Sequence, residues 1–143
     1  MTSAVLDASV AAKWFLPGAH EPLVKEALGL LGRYADGELR FIVPDVFWPE
    51  FGNILWKAVR QRRYSRNSAE NAISMIQERH LPTISSRELL HDAFAIATDF
   101  DRTVYDSLYV ALAVAFKTHL ITADERLANA LAAYLPIKWL GAV

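Results

Sequence analysis

At 143 residues the chain is long enough to bury roughly two-thirds of its unfolded surface in one core. Its 53% hydrophobic and 22% charged residues describe a globular domain and exclude a disordered one. Fifteen Lys and Arg against sixteen Asp and Glu leave a net charge of -1, so affinity for nucleic acid must come from a local patch. There is no cysteine, which excludes disulfides and thiolate metal sites and fits a reducing compartment. The N-terminus lacks a basic leader, and Lys13 and Pro17 interrupt the only early apolar run. No signal peptide or membrane span is expected, and the default location is the cytoplasm.

Taken in order, residues 4–6 read as a strand buried on both faces and ending at Asp7. A helix over 8–16 is stopped by Pro17-Gly18. An amphipathic helix over 20–34 carries Leu23, Ala27, Leu30 and Leu31 on one face and ends near Asp36-Gly37. Residues 41–43 form a second strand, and Pro44-Asp45 opens a helix to about Arg62. Ser65 or Asn67 caps a helix over 68–79, whose Ala72, Ile73 and Ile76 point inward. A short strand over 82–84 leads to a helix over 86–98, capped by Ser85 or Ser86. Beyond the next helix come a strand over 120–122, a helix over 123–134 and a last strand near 137–140. Short apolar strands alternating with helices predict a single domain over 1–143, an α/β/α sandwich on a mainly parallel, Rossmann-like sheet.

The remaining segment, 104–116, is the one the others surround. From Leu108 to Phe116 its only polar side-chain atom is the Tyr109 hydroxyl, so its apolar residues circle the helix. It is too short to span a bilayer and is expected at the centre of the core. Asp106 enters this apolar region in the first turn. A carboxylate there is capped, protonated or held by a cation.

Three more acids fall at element boundaries. Asp7 follows the first strand, Asp124 follows the 120–122 strand, and Glu50 lies in the first turns of the helix after the second strand. On that helix Phe47, Phe51, Ile54 and Ala58 share a stripe, with Glu50 at its edge. Each acid has an ordinary explanation. Asp7 can cap the next helix, Asp106 can complement a helix dipole, and Glu50 can be a solvated helix residue. Thr122 with Glu125 can form a capping box that leaves Asp124 as a first-turn acid. Taken together, the acids sit where a parallel sheet gathers ligands, beyond the carboxyl ends of its strands. Converging carboxylates repel, and oxygen ligands without His or Cys select a hard ion, Mg²⁺ or Mn²⁺. Such a centre suits phosphodiester hydrolysis. A phosphoaspartyl phosphatase would need an acid where Ser9 stands, and a receiver domain would need an acid beside Asp7.

The motifs V-L-D-A-S-V at Asp7, P-E-F-G-N-I-L-W at Glu50, Y-D-S-L-Y-V-A-L-A at Asp106 and L-I-T-A-D-E-R-L at Thr122 and Asp124 resemble those of the PIN-domain ribonucleases. Within that family they are most similar to the VapC-type toxins of toxin–antitoxin pairs. The resemblance implies a Mg²⁺-dependent endoribonuclease, homodimerisation and inhibition by a small VapB-like antitoxin. It implies that Asp7, Asp106 and Asp124 hold the metal, that Glu50 contributes directly or through a water, and that Ser9 or Thr122 orients the ligands.

Between Glu50 and Glu70 there is no acid, but there are Lys57, Arg60, Arg62, Arg63 and Arg66. They read either as a solvated helix end or as a patch that tracks RNA phosphates, with Tyr64 available to stack on a base. Trp48 and Trp56 lie off the core stripe and suggest a partner surface. His20, His80, His91 and His119 show no metal-ligand spacing and suit surface or loop positions.

Overall fold

Parallel pairing of five short strands organises the chain. A computed structural model describes residues 2–143, with β1 (Thr2–Leu6), β2 (Leu39–Pro44), β3 (Thr83–Ile84), β4 (His119–Thr122) and β5 (Ile137–Trp139). Their order is β3-β2-β1-β4-β5, and every neighbouring pair is parallel. The sheet is therefore wholly parallel. β1 is central, and its Val5 and Leu6 lie opposite Leu120 and Ile121 of β4. Successive connections run to one side of β1 through β2 and β3, then to the other through β4 and β5. The direction reverses between β1 and β4, the switch point at which such sheets bind ligands.

The helices are α1 (Ala8–Ala11), α2 (Val24–Ala35), α3 (Phe47–Arg60), α4 (Arg66–Gln77), α5 (Ser86–Phe100), α6 (Val104–Ala115) and α7 (Glu125–Leu131). Ser65 and Ser85 cap α4 and α5, accepting from the Ser68 and Arg87 amides as the sequence predicts. α6 packs on β1, β2 and β4 and is covered by α5. Residues 107–113 are buried without interruption.

Several boundaries differ from the sequence reading, each for a local reason. The first helix tightens into a 3-10 turn at Ala12–Trp14. The second begins at Val24 rather than at residue 20, because Pro22 holds Glu21 extended and Leu23 turns left-handed at φ 60°. Pro44 stays in β2, paired with Ile84, so α3 starts only at Phe47. Its buried stripe is Phe47, Phe51, Leu55 and Ala58, with Ile54 only half-buried. The α6 helix is not covered on all sides, since Val114 and Phe116 emerge to 49% and 52% exposure. The last helix is shorter than expected, ending at Leu131.

Lys13 is the one lysine drawn into the core. Its Nζ donates to Glu21 Oε2 at 2.8 Å and to the Pro22 carbonyl at 2.7 Å, which satisfies the buried charge and pins the segment before α2. No helix among the described residues is long and apolar enough to cross a membrane.

Leu112, at 0% exposure in α6, tests the core directly. Leu112→Ala is expected to cost about 2–5 kcal/mol in urea unfolding. A loss well under 1 kcal/mol would mean that α6 is not packed as described.

Candidate active site

β1 ends by delivering Asp7, whose amide donates to the Ile121 carbonyl of β4 at 3.2 Å. Asp7 N-caps α1, and its Oδ1 accepts from the Ser9 amide at 3.1 Å. Its Oδ2 accepts from the Thr122 hydroxyl at 2.7 Å. The Thr122 oxygen in turn accepts from the Asp124 amide at 3.0 Å, and Ser9 Oγ accepts from the Ala123 amide at 3.2 Å. Ser9 and Thr122 thus stitch the end of β1 to the end of β4. The Thr122–Glu125 capping box does not form. Thr122 is committed to Asp7, and the cap of α7 is Asp124, whose Oδ1 accepts from the Leu127 amide at 3.0 Å.

Glu50 stands in the first turn of α3 and Asp106 in the first turn of α6, both half-buried. The Asp106 amide is capped by Thr103 Oγ1 at 3.1 Å, but no backbone N–H is bonded to the Asp106 carboxylate among the described residues. The side chains are close enough to disturb each other's ionisation. Burial pushes the Asp7 carboxyl up, opposed by the Thr122 and Ser9 hydrogen bonds and assisted by the charge of Asp106. Glu50 is raised from 4.5 to about 7, first by burial and then by the charges of Asp7 and Asp106, while Tyr109 pulls it down. Asp106 is raised by burial and by Asp124, and lowered by Arg102. Asp7, Glu50 and Asp106 thus lie close enough to disturb one another, and Asp124 lies close enough to Asp106 to raise it.

Among the described residues, no three His, Cys, Asp or Glu side chains are drawn into one ligating shell. Asp7 and Asp124 spend carboxylate lone pairs on their caps, and further lone pairs on those oxygens stay available to a cation. The donor set nevertheless fits a hard divalent ion. It is all oxygen, its members repel, and Glu50 Oε1 is buried without a hydrogen-bond partner among the described residues.

Two neighbours of this cluster escaped the sequence reading. Tyr109, 2% exposed, is one helical turn beyond Asp106 and brings its hydroxyl beside Glu50 and the Ala8 amide. Its i, i+3 spacing from Asp106 carried the signal, but an aromatic in an apolar run reads first as core. Arg102 sits in the tight turn before α6, its Nη2 donating to the Arg126 carbonyl at 3.5 Å. Standing four residues before Asp106, it is the cation that tempers that carboxyl.

The basic patch lies at the far end of α3. Arg60 stacks over Trp56 at 5.4 Å, Arg63 pairs with Gln61 and lies 3.8 Å from Glu21, and Arg66 bonds Glu70 at 3.0 Å. Lys57 is exposed and stands two turns from Glu50 on the same helix face, about 10 Å along the axis. Trp56 is 52% exposed, as a partner surface would need. Trp48 is not, because its ring packs edge-on against Phe47 and its Nε1 donates to Thr83 at 3.1 Å. All four histidines are exposed.

A wholly parallel sheet with acids gathered at its switch point is the architecture of a small α/β nuclease domain. Residues 4–131 match the family model of the PIN domain, and the chain belongs to that family. Ribonuclease VapC3 of Pyrobaculum aerophilum is 33% identical over 127 residues, which span 87% of this chain and 92% of that protein. Among solved structures, PAE2754 from Pyrobaculum aerophilum superposes with a TM-score of 0.70 at 19% identity, covering 98% of this chain and 85% of its own. VapBC2 from Rickettsia felis, bound to a DNA fragment from its promoter, gives 0.64 at 13% identity over 96% and 98% of the two chains. VapBC-1 from nontypeable Haemophilus influenzae gives 0.63 at 12% identity over 98% and 99%. At these identities the three structures speak for the fold alone.

The raised Glu50 has a consequence for stability. A carboxyl raised on folding binds its proton more tightly in the native state, so folding is favoured at low pH and stability is lost as pH rises from about 4.5 to about 7. In chelator the melting temperature should fall across that window, and Glu50→Gln should flatten the fall. An identical slope in the variant would place the titration elsewhere.

Proposed function

We propose that this protein is a metal-dependent endoribonuclease, the toxin of a toxin–antitoxin pair, working as a single PIN-like unit over residues 1–143. The observation that carries this reading is the placement of Asp7, Glu50 and Asp106 at the β1–β4 switch point, where burial and a neighbouring charge raise each carboxyl, with Asp124 beside Asp106. Capping alone accounts for Asp7 and Asp124 but leaves Glu50 and Asp106 without a structural task. Kinship with Ribonuclease VapC3 supports RNA as the substrate. Folds shared with toxin–antitoxin complexes support a small VapB-like antitoxin as partner, and a homodimer acting in the cytoplasm completes the reading.

In this reading Asp7, Asp106 and Asp124 hold Mg²⁺ or Mn²⁺, with Glu50 joining directly or through a water. The ion supplies Lewis acidity toward a phosphate oxygen and lowers the pKa of water. Thr122 and Ser9 fix the Asp7 carboxylate and the turn that carries Asp124. Glu50, half-buried beside Asp7 and Asp106, would take up the proton released by the attacking water. A bond from that water oxygen to phosphorus forms, one phosphodiester P–O bond breaks, and the leaving oxygen takes up a proton. Arg102 adds a positive charge at the rim where substrate phosphate approaches. Lys57, Arg60, Arg63 and Arg66 continue it along α3, with Lys57 nearest the acids on the helix.

Mapping cleavage of total cellular RNA, with and without chelator, tests the activity. Asp7→Asn and Asp106→Asn should each abolish Mg²⁺-dependent cutting, and full activity in both would sink the assignment. Because the ion relieves repulsion, millimolar Mg²⁺ should raise the melting temperature of the unaltered protein. The absence of a shift would favour the acids as caps. Replacing Lys57 and Arg60 together by Ala should weaken RNA binding and reduce its salt slope by about two. An unchanged slope would assign the patch to another partner.

A further inference from the structure

Trp56 lies off the buried stripe of α3 and stays 52% exposed. Its indole forms one wall of a shallow cavity of about 260 Å³ between α3 and α4. The other walls are apolar, made by Gly52 and Val59 of α3 and by Ala69 and Ile73 of α4. Ligand pockets begin at about 300 Å³, so this one suits a single flat heterocycle. Arg66 and Glu70, bonded at 3.0 Å, stand at its edge and offer hydrogen-bond donors and an acceptor to such a ring. Gly52 keeps the cavity open. A glycine in mid-helix is destabilising relative to alanine, and no atom lies within 4 Å of where its Cβ would stand. Nothing in the packing requires glycine there.

Cations surround the ring. Arg60 lies over the Trp56 indole at 5.4 Å and takes no part in lining the cavity. Lys57, Arg62, Arg63 and Arg66 complete a stretch with no acid from residue 51 to residue 69. At 3.6 residues per turn, Lys57, Arg60 and Trp56 lie about 20°, 80° and 120° around α3 from Glu50, in one direction. A polyanion leaving the acids therefore meets two cations and then an exposed aromatic, about 9 Å along the axis. Positive charge that tracks a backbone, joined to an aromatic on which a base stacks, is how proteins hold unpaired strands.

We propose that Trp56 and the cavity between α3 and α4 receive one unpaired nucleobase of the RNA, away from the bond that is cut. The inference rests on the reading of RNA as the polymer this protein handles. The base stacks on the indole, and its edge meets Arg66 and Glu70. Lys57 and Arg60 hold the phosphates between that base and the acids.

The test is binding of a short single-stranded RNA, and of the same sequence as a duplex, to protein carrying Asp106→Asn so that nothing is cut. Trp56→Ala should weaken single-strand binding by on the order of tenfold, and Trp56→Phe should restore most of the loss. An aromatic releases no counterions, so the salt slope should stay as it was, unlike that of the Lys57 and Arg60 replacement. Duplex binding should not change, because a paired base cannot enter the cavity. Gly52→Leu fills the cavity and should weaken single-strand binding by a similar factor while the melting temperature holds. Unchanged single-strand binding in Trp56→Ala or in folded Gly52→Leu, or equal losses on single strand and duplex, overturns the proposal. A loss confined to a small protein partner assigns the groove to that partner and overturns it too. If the unaltered protein cuts no RNA while single-strand binding depends on Trp56 as described, the nuclease reading fails and the base site stands.

Discussion

The side-by-side endings of β1 and β4 are the constraint from which the rest of the site follows. Parallel strands cannot be joined by a tight hairpin, so every connection must cross over through a helix. At the switch point two such crossovers depart in opposite directions and leave a crevice between them. Asp7 and Thr122 are the residues on its two banks, and their hydrogen bond at 2.7 Å closes the sheet at that end. Glu50 and Asp106 are then brought in from helices whose starting points are fixed by the sheet. The charges are not gathered by attraction for one another. They are gathered because the apolar faces behind them must pack, and the electrostatic cost is borne by raised proton affinities.

That balance explains why the helix packed on the centre of the sheet carries both the most apolar and the most reactive positions. The α6 helix buries Leu108, Val110 and Leu112 between the sheet and α5 while presenting Asp106 and Tyr109 to the crevice. A rigid, densely packed helix is a better support for a catalytic group than a loop, because its side chains have few alternative rotamers. The Thr103 cap fixes the first turn and with it the height at which Asp106 enters.

Much of this was legible in the sequence because it follows from short-range rules. Short apolar runs gave the strands, serines gave the caps of α4 and α5, and the boundary positions of Asp7, Glu50, Asp106 and Asp124 pointed to the candidate site. What was missed depends on events that no local pattern encodes. Leu23 takes a left-handed conformation between the start of α2 and Pro22, whose carbonyl is held by distant Lys13. Thr122 abandons the capping box because Asp7, 115 residues away, competes for its hydroxyl. Arg102 gained its place through a turn made by left-handed Asp101, and charged turn residues look like solvent-exposed ones. Trp48 lies off the stripe of its own helix yet is claimed by β3.

The central position of β1 also dictates a timetable. β1 leaves the ribosome long before β4, the neighbour that completes its second edge. Contacts of such sequence separation form late and make folding slow. A nascent chain that has not yet released β4 from the ribosome holds Asp7 beside an open strand edge, with neither Thr122 nor Asp124 in place. Until β4 pairs with β1 the crevice lacks its second bank, so the candidate site is assembled only when that distant contact forms.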